Sequence, residues 1–389
     1  MSTNNRVKYK FYTINNIYIR NIIILIFCLF LFLPCSSKND ILKLKKEIVF
    51  NVGMPIKSCG TFYENDSMYF YFAELASRKQ IKIYNSNTDL VKTISLKKFN
   101  YLDMAENIYM PCMDSIILVI GNPVQLVYLI DDNANILYQR VFPQFVNTDS
   151  ITYALDASFL DYSACIYNNN NSIYLLLNAF RYLDTSIHLK EYVECNRIAN
   201  NSPLFYNVSL NKKDSMITYI GNNLLPIVYP NDTIFRVHYP YFKIDNDYLF
   251  NFIYEFGKIM IIDTRTKKYI KTIQIKSRYA KIGIDVINFT DKNKDSQWDK
   301  IGESWRVQNI VWDKFKQCYY IFITKGAYNN DVIIQRLDAN FHLVAEKKMI
   351  NNNNLRFTNV VVIKDGLLIN IYNEKNTNNA IYKLYSVNF

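Results

Sequence analysis

Lys258-Ile259-Met260-Ile261-Ile262-Asp263-Thr264-Arg265-Thr266-Lys267-Lys268-Tyr269-Ile270-Lys271-Thr272-Ile273-Gln274-Ile275 reads as an apolar strand, a polar turn and a second, alternating strand. The apolar runs are too short and too rich in β-branched residues for helices, and the turn holds the Asp and Thr that a hairpin favours. The same form recurs along the chain. Ile81–Tyr84 turns through Asn85–Asp89 into Leu90–Leu96, and Leu126–Ile130 turns through Asp131–Asn135 into Ile136–Phe142. Glu191–Cys195 leads to Phe205–Leu210, and Val332–Leu337 turns through Asp338-Ala339-Asn340 into His342–Lys347.

Ahead of each copy stands another apolar strand: Met68–Phe72, Ser115–Ile120, Ile173–Leu177, Tyr248–Tyr254 and Cys318–Thr324. Each follows a polar turn, with one short strand before it. Four strands per unit, repeated about every 60 residues, is the pattern of a β-propeller blade. A sixth unit runs through Arg356–Ile363, Leu367–Tyr372 and Ile381–Val387 and ends without an outermost strand, whereas Ile41–Val52 is spare at the front. The expected fold is therefore all-β: a six-bladed β-propeller of four-stranded blades over 48–389, closed by Ile48–Val52 completing the last blade. A pair of β-sandwiches is the alternative arrangement of the same strands.

Composition narrows the chemistry. The 389 residues are 50% hydrophobic and 20% charged, which suits a large globular core. The 9 Gly are never closer than seven residues apart, so the G-x-G-x-x-G, P-loop and G-x-S-x-G turns are absent. His188, His238 and His342 are far apart in sequence, which excludes H-E-x-x-H and similar local metal motifs. The excess of 45 Lys+Arg over 34 Asp+Glu is dispersed, with no basic run longer than two, so nucleic acid is not an expected partner. Abundant Ile, Tyr, Phe, Asn and Lys match an AT-rich coding bias.

The first 34 residues carry Arg6, Lys8, Lys10 and Arg20, no acid, and the apolar run Ile22–Leu33. A basic segment before a short apolar one is an export signal. Leu33-Pro34-Cys35-Ser36-Ser37-Lys38-Asn39-Asp40 follows. This stretch resembles the lipobox of bacterial lipoproteins, with Pro34 and Phe32 departing from its usual residues. The resemblance implies that 1–34 is a lipoprotein-type signal peptide, that Cys35 is lipidated, and that 35–47 is a tether. An uncleaved membrane helix starting near Ile14 is the alternative, and it too exports the rest of the chain. Together with the four-stranded units, the chain is similar to uncharacterised six-bladed β-propeller lipoproteins of the Bacteroidetes. That likeness implies attachment at the outer membrane or cell surface through a lipid anchor. It carries over no catalytic residue.

Several side chains are candidates for function. Asp291, Asn293, Asp295 and Asp299, with the Gln297 carbonyl, place oxygens at alternate loop positions, as Ca²⁺ requires; a solvated loop is the plainer reading. No other cofactor is expected. Cys59, Cys112 and Cys165 recur every 53 residues beside innermost strands, where a small apolar side chain packs well. Trp305 and Trp312, with Arg306 between, are expected on opposite sides of one strand, either as core anchors or as a stacking surface. Two functions remain open: a monomeric binding or scaffold module for a protein or glycan, or a propeller hydrolase or lyase using acids such as Asp103, Glu106, Asp156 or Asp247.

Overall fold

The computed structural model describes residues 41–54, 56, 58–75, 77–102, 105–120, 126–141, 145–148, 151–156, 166–169, 172–181, 205–209, 217–220, 241–245, 247–253, 257–266, 268–283, 303–326, 331–351, 355–371 and 378–389. After strand β1 (Leu42–Asn51), blade I is formed by β2 (Ser58–Glu64), β3 (Ser67–Glu74), β4 (Gln80–Asn85) and β5 (Leu90–Ser95). Blade II is β6 (Ala105–Cys112), β7 (Ser115–Ile120), β8 (Leu126–Ile130) and β9 (Ile136–Val141). A different sheet follows, of β10 (Phe145–Thr148), β11 (Ile151–Asp156), β12 (Ile166–Asn169), β13 (Ser172–Arg181), β14 (Phe205–Ser209) and β15 (Ile217–Ile220). Blade III is β16 (Tyr241–Asp245), β17 (Tyr248–Ile253), β18 (Lys258–Asp263) and β19 (Lys268–Gln274). Blade IV is β20 (Trp305–Asp313), β21 (Cys318–Lys325), β22 (Asp331–Asp338) and β23 (Leu343–Ile350). Blade V takes β24 (Leu355–Ile363), β25 (Gly366–Ile371) and β26 (Asn379–Val387), with β1 as its fourth strand.

The all-β propeller of four-stranded antiparallel blades stands, but among the described residues the blades number five, not six. The third sequence unit does not fold as a four-stranded blade: β13, ten residues long, takes two partners besides β14. One end of it, Asn178–Arg181, pairs with β11, while the other, Ser172–Leu175, pairs with β12. Its opposite edge takes β14, and the expected strand at Glu191–Cys195 lies outside the described residues. A strand this long has room for two short strands end to end.

β1 pairs antiparallel with β26 from Leu42↔Val387 to Asn51↔Asn379, with a bulge between Leu44 and Lys46. It starts at Leu42, six positions before the expected Ile48. The central strands explain themselves by burial: Ile116–Ile120 and Leu126–Ile130 are continuous apolar runs, enclosed on both faces. Three clusters join the blades face to face, one between I and II, one between III and IV, and one between V and I. In the last, Phe50 of β1 lies 4.6 Å from Phe70 and 6.1 Å from Tyr382, ring centre to ring centre. Phe322 stacks on Phe357 at 5.1 Å and links IV to V. Blades III, IV, V, I and II thus pack in succession.

The outer hairpin turns of blades I, II and IV, between third and fourth strands, share one construction. Asn85, Asp131 and Asp338 each accept backbone N–H bonds on Oδ1 from residues two and four places on, at 2.7–3.0 Å. The fourth residue of each turn, Thr88, Ala134 or Phe341, sits at φ between 64° and 72°. A one-residue register shift precedes each turn, and blade III repeats the shift between Ile261 and Ile262. Past the turn, each outermost strand opens with an exposed apolar pair: Leu90-Val91, Ile136-Leu137, Tyr269-Ile270 and Leu343-Val344. Inner hairpin turns, between first and second strands, lie at the same end as the outer ones. In blade III, Arg265 of the outer turn reaches Asp247 of the inner turn at 3.7 Å.

Candidate binding site on the innermost strands

The first strand of each blade lies nearest the propeller axis, and β2 runs beside β6, β16 beside β20, and β20 beside β24. Their polar side chains bond from blade to blade. Lys243 of β16 donates from Nζ to Asn309 Oδ1 of β20 at 2.8 Å, with Asp245 at 3.9 Å. Asn309 in turn donates from Nδ2 to the Phe357 and Thr358 carbonyls of β24, at 2.7 and 3.2 Å. Asp245 accepts the Trp312 backbone N–H at 3.0 Å. Enclosure pulls the Lys243 amine below its ordinary pKa, while Asp245 opposes that pull.

Across blades V and I, Asn359 of β24 donates to the Cys59 sulfur of β2 at 3.3 Å, and the Tyr382 hydroxyl approaches it at 3.7 Å. Burial pushes the Cys59 thiol up, against smaller opposing effects of Tyr382 and Arg356. It is a packed thiol, not an activated one. Between blades I and II, the Tyr71 hydroxyl donates to the Ile108 carbonyl at 3.0 Å, and burial holds that phenol well above its usual range.

Strand β20 carries a bulge between Val307 and Asn309. The extra residue resets the alternation, so Trp305, opposite Lys325, and Trp312, opposite Tyr319, share one face. Both pack against the apolar cluster of blades III and IV. The expectation of opposite faces, based on simple alternation over seven residues, is corrected by the bulge. The bulge likewise puts Arg306, opposite Thr324, on the face of Asn309, opposite Phe322. That face turns toward β24. The Arg306 Nε is buried there, with no hydrogen-bond partner among the described residues. Arg306 and Arg356 both occupy the second position of their innermost strands, at the end of the blades away from the hairpin turns. Cys59 holds the corresponding place in β2.

Other sequence candidates fall elsewhere. Asp247 is exposed in the inner turn of blade III, paired with Arg265. Glu106 and Asp156 lie on β6 and β11, and Cys112 ends β6. Asp103, Cys165, Cys35 and the whole Asp291, Asn293, Asp295, Gln297, Asp299 set lie outside the described residues. Lys243 and Asn309 were not singled out from sequence. A Lys inside Tyr241-Phe242-Lys243-Ile244 was the readable signal, since a cation amid apolar strand residues needs a partner.

No family model matches the chain, and no curated protein matches it. Solved structures do. A member of the DUF4221 family from Bacteroides vulgatus ATCC 8482 is similar at 18% identity and a TM-score of 0.64, covering 89% of this chain and 98% of that one. A protein from Bacteroides fragilis NCTC 9343, inferred to be exported, is similar at 12% identity and a TM-score of 0.50, covering 90% and 97%. At these identities the likeness is one of fold.

Proposed function

We propose that the chain is a lipid-anchored, extracytoplasmic propeller that acts as a binding module, its ring closed through β1 and its ligand taken at the axis. The ligand is the anionic group of a glycan or protein, held where Arg306 and Arg356 stand at the start of adjacent innermost strands. The carrying observation is the buried Arg306 Nε, which has no hydrogen-bond partner among the described residues. A guanidinium is forked and always charged, and leaving one of its donors unmet costs free energy that a carboxylate or sulfate would recover. The neighbouring Lys243–Asn309–Phe357 bonds fix β20 against β16 and β24, so the Arg306 backbone is rigidly held. Cys35 as anchor and the exported body are read from the signal-like N-terminus, and the fold similarity to a Bacteroides protein inferred to be exported is in keeping with that location.

The test is a glycan array that includes uronate-bearing and sulfated oligosaccharides, probed with the purified chain, followed by titration of any hit. Binding should fall at least tenfold in Arg306→Gln and weaken as salt rises. Hits that are neutral, or that Arg306→Gln leaves unchanged, overturn the reading.

A further inference from the structure

We propose that the end of the propeller bearing the hairpin turns docks on the lipid surface, so that the axial mouth with Arg306 and Arg356 faces away from it. The proposal rests on the lipid-anchored reading above. In blade V the outer hairpin turn is missing: β26 ends at Val387 and β1 begins opposite it at Leu42. The chain therefore enters the propeller at the turn-bearing end. Only seven residues separate Leu42 from Cys35, a span of at most about 24 Å when fully extended. An acylated Cys35 would hold this end, rather than the other, within reach of the bilayer.

The same end carries the side chains that an interface prefers. Four blades present their apolar pair at the start of the outermost strand, each residue 37–56% exposed. These strands alternate, so one residue of each pair faces either side of the sheet; both are open because blades diverge toward the perimeter. Nearer the axis, Tyr63 at the end of β2 and Phe315 in the inner turn of blade IV are both 46% exposed. The Lys314 ammonium lies over both rings, at 5.4 and 5.2 Å. Aromatic rings with a lysine beside them suit the headgroup layer, where the ring is half immersed and the ammonium stays wet. β1 adds Lys43, Lys45 and Lys46, all exposed, at the point of entry.

The experiment places purified, full-length lipidated protein in vesicles of phosphatidylethanolamine and phosphatidylglycerol and maps hydroxyl-radical oxidation by mass spectrometry, against the same protein in non-ionic detergent. Oxidation of Leu137, Ile270, Leu343, Tyr63 and Phe315 should drop several-fold in vesicles, while Tyr101 and Tyr279 at the other end stay unchanged. Leu137→Glu combined with Ile270→Glu should restore oxidation of Tyr63 and Phe315 in vesicles. Palmitate labelling at Cys35 separates the two readings. Label with equal oxidation of both ends overturns the docking and leaves the anchor standing. Turn-end protection without label supports the docking and overturns the anchor, and neither label nor protection overturns both. Protection in native membranes but not in vesicles assigns the surface to a protein partner and overturns the lipid.

Discussion

The outer hairpin turns and the innermost strands sit at opposite edges of the same blades and obey different rules. In blades I, II and IV the turns are interchangeable parts: the same Oδ1 cap, the same left-handed fourth residue and the same register shift, built from Asn85, Asp131 or Asp338. Along the described innermost strands the interblade side-chain bonds are individual. Among the described residues, Cys59, Lys243 and Asn309 each make bonds that no other blade copies. Repetition at the perimeter specifies the blade, and divergence at the axis gives each joint between blades its own bonds.

If axial and interblade contacts are individual, losing one should cost far more than altering a turn. Phe50→Ala should have the largest effect. The ring is fully buried among Phe70, Phe72, Tyr84 and Tyr382, and its removal should cost about 3–5 kcal/mol in denaturant unfolding. A loss under 1 kcal/mol would mean that β1 does not bind blade V to blade I. Next comes Asn309→Ala, which strands the Lys243 amine and two β24 carbonyls and should cost roughly 2–4 kcal/mol. Adding Lys243→Met should recover part of that loss. Simple additivity of the two changes would show that the bond is not the cause.

The turns sharpen the comparison because one backbone slot holds three side chains. Thr88 has a β-branched side chain at φ 72° and no core role. Thr88→Gly should raise stability by roughly 0.5–1 kcal/mol by relieving left-handed strain. Phe341 occupies the same slot but stacks on Tyr319 at 4.7 Å under the Lys271 ammonium. Phe341→Gly should therefore cost about 2–3 kcal/mol. Opposite signs at equivalent positions, read as opposite Tm shifts, would separate backbone from packing. Equal signs would show that the slot itself governs.

Much of this was legible because it repeats. Alternation and polar turns located the hairpins such as Lys258–Ile275, and the truncated last unit pointed to the spare strand at the front. The five-blade count was not legible. Ile173–Leu177 looks like any second strand until its neighbours extend it to ten residues, and pairing, not pattern, decides what a long strand accepts. The shared face of Trp305 and Trp312 was hidden for a related reason, since a bulge inside Val307-Gln308-Asn309 leaves no compositional mark. At the axis, Arg306 was visible as a residue but not as an unmet donor. Such a property depends on what β24 brings against it.

The smallest expected effect is the most diagnostic of interchangeable turns. In blade II, Asp131 accepts the backbone N–H groups and the Asn135 amide, whereas blade I inverts the pair, with Asn85 capping and donating to Asp89. Asp131→Asn alone replaces the charged acceptor with a neutral amide–amide bond; Asp131→Asn with Asn135→Asp rebuilds the blade I arrangement. The double variant should lie within about 0.5 kcal/mol of the parent at neutral pH, and the single variant should be the less stable. Acid distinguishes them further. The Asn135 amide and the backbone N–H groups hold the Asp131 carboxyl below its ordinary pKa, and the His342 backbone N–H does the same for Asp338. A carboxyl lowered in the folded state adds stability that is complete above the unfolded pKa, near 4, and is lost as pH falls through the folded value. The parent Tm should therefore decline from about pH 4 downward. In the double variant the carboxylate no longer caps the backbone, so its decline should be shallower. Parallel Tm curves would show that the cap at blade II contributes through its geometry and not through its charge.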